Sequence, residues 1–424
     1  MLYAVPMHSL LSLALPLLAA AAATSAEPDP KLLDRARALL EKAPLIDTHN
    51  DLPTELVKVL GGDLTKLDFA KEQPTLPADL ARLRQGRVGV QYWSIWVDSA
   101  NAKTHTSLHE ALLEFDAALR LIESRPELEL ARSAADIERI TKAGKIASLF
   151  GVEGGHMIEE SPEVLRIFAR LGARYLTLTH WDSIPWADAA TDRAISDGLS
   201  KTGERIVREL NRLGMFADIS HVSPETMRDV LRVTRAPVIF SHSNALAIGP
   251  HVRNAPDDVL KLLAANGGVI HVNFLKPFIS AEETAYAAKK KAAMRALRAT
   301  VDSDEALAKA LTEWEKQNPY PVTTISMVAD HIDHIRKVAG IDSIGIGADY
   351  ADPDPKDMVE GLGNCSRYPY LFAELLRRGY SDEDVLKIAG RNHLRALRTM
   401  EKVGEELRKT EPPLVLPAPV PAAK

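Results

Sequence analysis

Seven side chains able to bind a divalent cation or move a proton close short apolar runs: His49, Asp51, Glu153, His180, His221, His242 and Asp349. They are scattered over most of a 424-residue chain. His49 and Asp51 stand two apart in Ile46-Asp47-Thr48-His49-Asn50-Asp51. Strand side chains alternate faces, so a strand persisting to Asp51 points both at one cation. Glu153 lies in Gly151-Val152-Glu153-Gly154-Gly155-His156. Its two oxygens can bridge two cations, and the glycines permit close approach and unusual φ angles. His156 is a rival ligand that the turn should carry away. His221 and His242 follow Ile219-Ser220 and Phe240-Ser241 on consecutive runs and suit a second cation. The single cysteine, Cys365, excludes a Cys-rich metal site. His, Asp and Glu without Cys is the donor set of a catalytic zinc pair. Two such ions about 3.5–4 Å apart share a hydroxide and polarise a carbonyl.

Three residues complete the chemistry. Asp349, in Gly345-Ile346-Gly347-Ala348-Asp349, is placed to carry a proton from water to a leaving amine; the alternative is that it is itself a ligand. His180, in Thr177-Leu178-Thr179-His180, can stabilise an oxyanion or be a hydrogen-bonded core histidine. Arg253 can clamp a carboxylate in bidentate fashion. From spacing alone, a salt bridge to Asp257 or Asp258 competes with that role.

The elements that must position these residues are eight short apolar runs: 44–49, 88–97, 146–153, 175–180, 216–221, 238–242, 269–274 and 343–349. Each is followed by polar residues and a helical pattern. Near-continuous apolar strands alternating with helices mark a parallel sheet covered on both faces, and eight units point to a closed (β/α)8 TIM barrel. Its active site belongs at the C-terminal strand ends, where the seven residues fall. Ser161-Pro162 and Ser223-Pro224 read as helix starts. Residues 254–266, 323–338 and 381–402 are helical by periodicity. Residues 275–320, rich in Ala, Lys and Glu, read as a helical insertion over or beside the barrel mouth.

Composition is that of a globular protein, with 46% hydrophobic and 26% charged residues. A net charge of -6 argues against nucleic acid as a partner. Leu10 to Ala23 is apolar except for Ser12 and leads into the small residues Thr24, Ser25 and Ala26. Residues 1–26 therefore read as a signal peptide, lacking the usual preceding Lys or Arg, and the product as secreted or periplasmic with no membrane span once the signal is removed. The barrel domain is expected over 27–410, and 411–424 as a disordered Pro/Ala-rich tail.

The stretches His49-Asn50-Asp51-Leu52-Pro53, Glu153-Gly154-Gly155-His156, Thr177-Leu178-Thr179-His180, Ser220-His221-Val222-Ser223, Ser241-His242-Ser243-Asn244-Ala245, Arg253-Asn254 and 345–349 together resemble the membrane (renal) dipeptidase family, peptidase family M19, related to the amidohydrolases. The resemblance runs from about residue 44 to 395. It implies two zinc ions per chain: His49 and Asp51 on one, His221 and His242 on the other, Glu153 bridging. It implies that His180 and Arg253 contact the substrate and that Asp349 handles protons. The implied activity is hydrolysis of dipeptides, often with a D-residue at the second position, by a homodimer. Asp182-Ser183-Ile184 and Leu275 depart from the family pattern and put side-chain preference in doubt. Rival readings are another binuclear amidohydrolase activity, such as a lactonase or N-acyl amino acid deacylase, and a non-catalytic binding protein.

Overall fold

The computed structural model describes residues 27–351 and 357–416. Nine parallel strands form one sheet: β1 (Leu45–Asn50), β2 (Val88–Trp96), β3 (Leu128–Leu130), β4 (Ile146–Glu153), β5 (Ala173–Thr177), β6 (Phe216–Asp218), β7 (Ile239–Phe240), β8 (Val269–Val272) and β9 (Ile344–Ile346). β9 pairs with β1, and β2 pairs directly with β4, so eight strands close the expected barrel. The strand that sequence reading missed, β3, lies outside that count. It runs beside Ile146–Ser148 on the edge that β5 takes over from Phe150 onward. Three residues with one fully buried side chain give no readable period.

Helices between the strands bury the outer face. Ser161 and Ser223 cap Pro162–Leu171 and Pro224–Val233, each accepting the backbone N–H three residues on. The expected helix over 254–266 starts later, at Asp257. Residues 381–402 are not one helix. A capping box on Ser381 opens Asp382–Leu386, a π turn spans Lys387–Arg391, and Asn392–Thr410 follows. The insertion is a helical hairpin, Ala281–Arg298 and Asp304–Gln317, pinned at its base by Tyr286 against Trp314 and Tyr320.

The proposed tail begins too early at 411. Arg166 and Arg205 donate to the carbonyls of Leu414 and Val415, and Glu209 accepts from Leu414 N–H. Residues 411–416 are thereby docked on the barrel. The rest of the expected tail and the expected signal, 1–26, lie outside the described residues. Among the described residues, no helix is long and apolar enough to cross a membrane.

The barrel interior is filled, in part, by a satisfied polar chain. His271 Nδ1–H donates to Phe240 O, so its Nε2 accepts from His393 Nδ1–H, and His393 Nε2 accepts from the Tyr92 hydroxyl. Above it, two buried carboxylates stitch neighbouring strand ends together. Asp47 accepts the N–H groups of His49 and Ala348. Asp218 accepts the N–H groups of Ser220 and Ser241 and the hydroxyls of Ser241 and Thr177.

Replacing Asp218 by Ala strands four buried donors, so Asp218→Ala is expected to lose about 3–5 kcal/mol. Urea melts check this; an unchanged midpoint would contradict the stitching role.

Candidate active site

The strands end sooner than the apolar runs. β5, β6 and β9 stop three residues before His180, His221 and Asp349, and β7 two before His242. These four site residues sit on the loops following the strands. Asp51 is also past its strand, at the N-cap of Leu52–Leu60. The alternation argument for His49 and Asp51 therefore fails in detail, yet the turn still brings their Nε2 and Oδ1 to 3.4 Å.

Glu153 is the hub. His221 Nε2 and His242 Nε2 stand 3.0 and 3.2 Å from its Oε1, and His49 Nε2 stands 3.5 Å from its Oε2. His49 Nε2 also lies 3.8 Å from Asp349 Oδ1. Two facing sets of donors thus share one carboxylate. Burial alone would raise the Glu153 carboxyl; the surrounding imidazoles, His49 and His180 foremost, override it and hold it well below its usual range. Burial keeps His221 and His242 well below the usual imidazole value, in the neutral form that binds cations. His49 Nε2 and Asp51 Oδ1 are buried with no hydrogen-bond partner. Orphaned lone pairs beside an anionic carboxylate fit a pair of divalent cations.

Neighbouring hydroxyls fix which imidazole nitrogen is bare. Tyr175 O–H donates to Thr48 O, so its oxygen accepts from His49 Nδ1–H at 2.9 Å. Ser241 O–H donates to Asp218, so its oxygen accepts from His242 Nδ1–H at 2.8 Å. In their neutral forms both histidines therefore turn a bare Nε2 to the cluster; burial opposes a charge on His49, but Tyr175, Glu153 and Asp51 outweigh it and raise its pKa well above the usual value, so a cation at Nε2 takes the place of a proton. His180 is the reverse case. Trp96 Nε1–H can only donate, so His180 Nδ1 accepts it at 3.1 Å and the neutral ring carries its proton on Nε2. That nitrogen is 3.9 Å from Glu153. His180 could be grouped with Glu153 and His221 as a ligand by distance alone, but its tautomer makes it a hydrogen-bond donor. Burial pushes its pKa down to about 4, which keeps it neutral.

Local backbone chemistry serves this arrangement. A Cβ on Gly151 would fall inside the Tyr175 ring, so only glycine lets that hydroxyl reach His49. Gly154 has φ +131°, turning the chain directly after Glu153. His221 and Asp349 are themselves left-handed, at φ +67° and +65°. His156 turns away and contacts Val97 O.

Asp349 is anchored by Asn273, whose side-chain N–H donates to Oδ2 at 2.7 Å. Burial, with Asp51 and Glu153 adding to it and His49 and Arg253 opposing, pushes its carboxyl up to about 7. Arg253 is 1% exposed and forms no ion pair among the described residues. Asp258 pairs instead with Arg228, and Asp257 with His334. Its guanidinium makes only long contacts, to Ser243 Oγ and His242 O, and packs on the Phe278 ring. Burial lowers its pKa to about 10, leaving it charged near neutrality.

A cavity of about 300 Å³ opens onto the cluster. Asp51, Glu153, His180, His221 and Asp349 line it with Trp96, Trp181, Leu275 and Phe278. Arg253 is not on its wall but behind Phe278. Sequence reading missed Trp96, Tyr175, Trp181, Asp218 and Asn273. Asp218 had one available signal: a carboxylate inside an apolar run, as at Asp47. Trp96 and Tyr175 carry none, because an aromatic in a strand reads as core.

A closed parallel barrel with buried His, Glu and Asp clusters at its C-terminal mouth is the architecture of a metallohydrolase. The model of the membrane dipeptidase family, peptidase family M19, matches residues 33–411. Human Dipeptidase 3 is 39% identical over 394 residues, covering 90% of this chain and 71% of that protein. The chain belongs to the membrane dipeptidase family. Among solved structures, the probable dipeptidase PvdM from Pseudomonas aeruginosa superposes with a TM-score of 0.76 at 24% identity, covering 88% of this chain and 100% of that one. A Rhodobacter sphaeroides metallopeptidase liganded with a phosphinate mimic of L-Ala-D-Ala gives 0.66 at 21%, covering 84% and 99%. At those identities the two structures speak for the fold.

Tyr175→Phe removes the acceptor that holds the His49 tautomer. Metal affinity should fall about 10–100-fold in chelator competition, with the circular dichroism spectrum unchanged. Undiminished affinity would show that Tyr175 is packing only.

Proposed function

We propose that this chain is an exported zinc-dependent dipeptidase that hydrolyses free dipeptides, including those with a D-residue at the C-terminal position. The observation that carries the reading is Glu153, buried between two donor sets beside a cavity of about 300 Å³. Family membership supports it, and so does the dipeptide mimic held by the Rhodobacter sphaeroides relative.

His49, Asp51, His221, His242 and Glu153 would hold the zinc ions, His49 with Asp51 on one side of Glu153 and His221 with His242 on the other. When bound, they would supply a nucleophile from water near neutral pH and polarise the scissile carbonyl. His180 donates its Nε2–H to the carbonyl oxygen as charge develops there. Its role needs the proton that Trp96 keeps on Nε2. Asp349 takes a proton at Oδ1 and returns it to the leaving amine, while Asn273 holds Oδ2. Arg253 receives the substrate's terminal carboxylate beside Phe278, ending its isolation as a buried charge without a counterion. Trp181, Leu275 and Phe278 wall off water.

Elemental analysis should find two zinc ions per chain, and L-Ala-D-Ala should be cleaved. A tripeptide cleaved as fast as a dipeptide would overturn the carboxylate clamp. Arg253→Met should lower kcat/KM by about a hundredfold or more with metal content unchanged. Retained kcat/KM would remove Arg253 from the site.

Trp96→Phe frees His180 to adopt either tautomer. It should lower kcat about tenfold while KM and metal content stay close to wild type. Loss of metal instead would make His180 a ligand.

A further inference from the structure

A hollow of about 930 Å³ lies at the opposite end of the barrel from the cavity. It is lined by residues preceding β1, β2 and β4, including Pro44, Arg87 and Lys145. It shares Arg84 and Arg87 with a second hollow and Arg398 with a third, so the three form one continuous base. Lys and Arg outnumber Glu there by more than two to one, although the whole chain is -6. Many of these cations are tied to carboxylates, as Arg84 is to Glu127 and Arg87 to Glu41. Six form no ion pair among the described residues: Lys42, Lys142, Arg132, Arg174, Lys402 and Arg408, of which Arg174 and Arg408 still feel the charges of Glu401 and Glu405. The cavity and the donor cluster lie at the other end of the barrel.

The base is also where the chain enters the fold. Glu27 pairs with Arg367, which lines the same hollow as Arg37, Arg84 and Arg87. The apolar sequence Leu10 to Ala23 ends just before Glu27. The described chain therefore begins on the same side of the barrel as the basic face.

We infer that the base of the barrel is a docking surface for an anionic phospholipid bilayer, holding the mouth toward the aqueous phase. The attraction is electrostatic and falls within a Debye length, so it is salt-sensitive. Lys42, Lys142 and Lys402 are exposed and lie far from the cavity lining. Their docking role is independent of what the mouth hydrolyses.

The test is co-sedimentation of the purified chain, as exported, with two kinds of vesicle. One contains phosphatidylglycerol and phosphatidylcholine, the other phosphatidylcholine alone. Insertion of apolar sequence alone binds both equally, so the difference between them reports the basic face. Binding should favour the anionic vesicles and vanish in high salt. Each favourable charge contributes about fivefold, so the triple variant Lys42→Glu, Lys142→Glu, Lys402→Glu should bind at least tenfold more weakly while metal content and hydrolysis stay unchanged. The double variant Lys291→Glu, Lys309→Glu, reversing exposed charges on the hairpin, should bind more nearly as wild type. Equal binding to both vesicles, or an equal loss per charge in the hairpin variant, would overturn the assignment.

Discussion

One buried carboxylate sets the terms for the rest of the molecule. Glu153 presents Oε1 to His221 and His242 and Oε2 to His49, with Asp51 and Asp349 close behind. Carboxylates so crowded and so poorly solvated repel one another, and burial penalises each of them. Cations between them are the compensation the donor set fits. Bringing those donors together needs β1, β4, β6, β7 and β9 to open on one rim, which a closed parallel barrel does by construction. Asp47 and Asp218 then lock adjacent strand ends in register, so the loops that carry the donors leave from fixed points.

Within that frame, identical side chains receive different jobs from their neighbours. Four imidazoles approach Glu153 with nearly equal burial, yet of the three whose Nδ1 has a partner, two offer a lone pair and His180 offers a proton. The difference comes from what each Nδ1 meets: hydroxyls already committed as donors for His49 and His242, an indole that can only donate for His180. Spacing and burial cannot separate ligand from donor here; hydrogen-bond polarity can.

The same distinction explains what the sequence made legible. Strand count, barrel closure and the residues of the cluster were readable because each strand is a short apolar run ending near a His or an acid. Asp51 fell in the cluster for a reason other than the one its spacing suggested: it stands at the N-cap position of a helix, its side chain free of any capping bond, instead of continuing a strand. β3 was invisible because three residues carry no period. Tyr175 and Trp96 were invisible because their apolar bodies satisfy the core pattern, while their polar tips act across gaps of 126 and 84 residues. Asp349 was legible by position, but its dependence on Asn273 was not. The tail over 411–416 looked unstructured by composition and is held by Arg166, Arg205 and Glu209, partners remote in sequence.

The backbone at His221 and Asp349 shows which demand prevails where folding and function differ. A non-glycine residue in the left-handed region costs about 1–3 kcal/mol, and glycine at either position would relieve it. Glycine would also delete a side chain that faces Glu153 or His49. At these two positions the strain falls in the loops after β6 and β9, where His221 O accepts from Ala190 N–H and Asp349 N–H donates to His49 O. Both bonds tie the strained residue to a neighbouring part of the mouth, so relaxing the turn would break them as well. A continuous core beneath, with most of its residues fully buried, supplies the stability that such local costs require. The site is therefore most strained where its side chains do chemistry, and the barrel below it is where the chain can accommodate that cost.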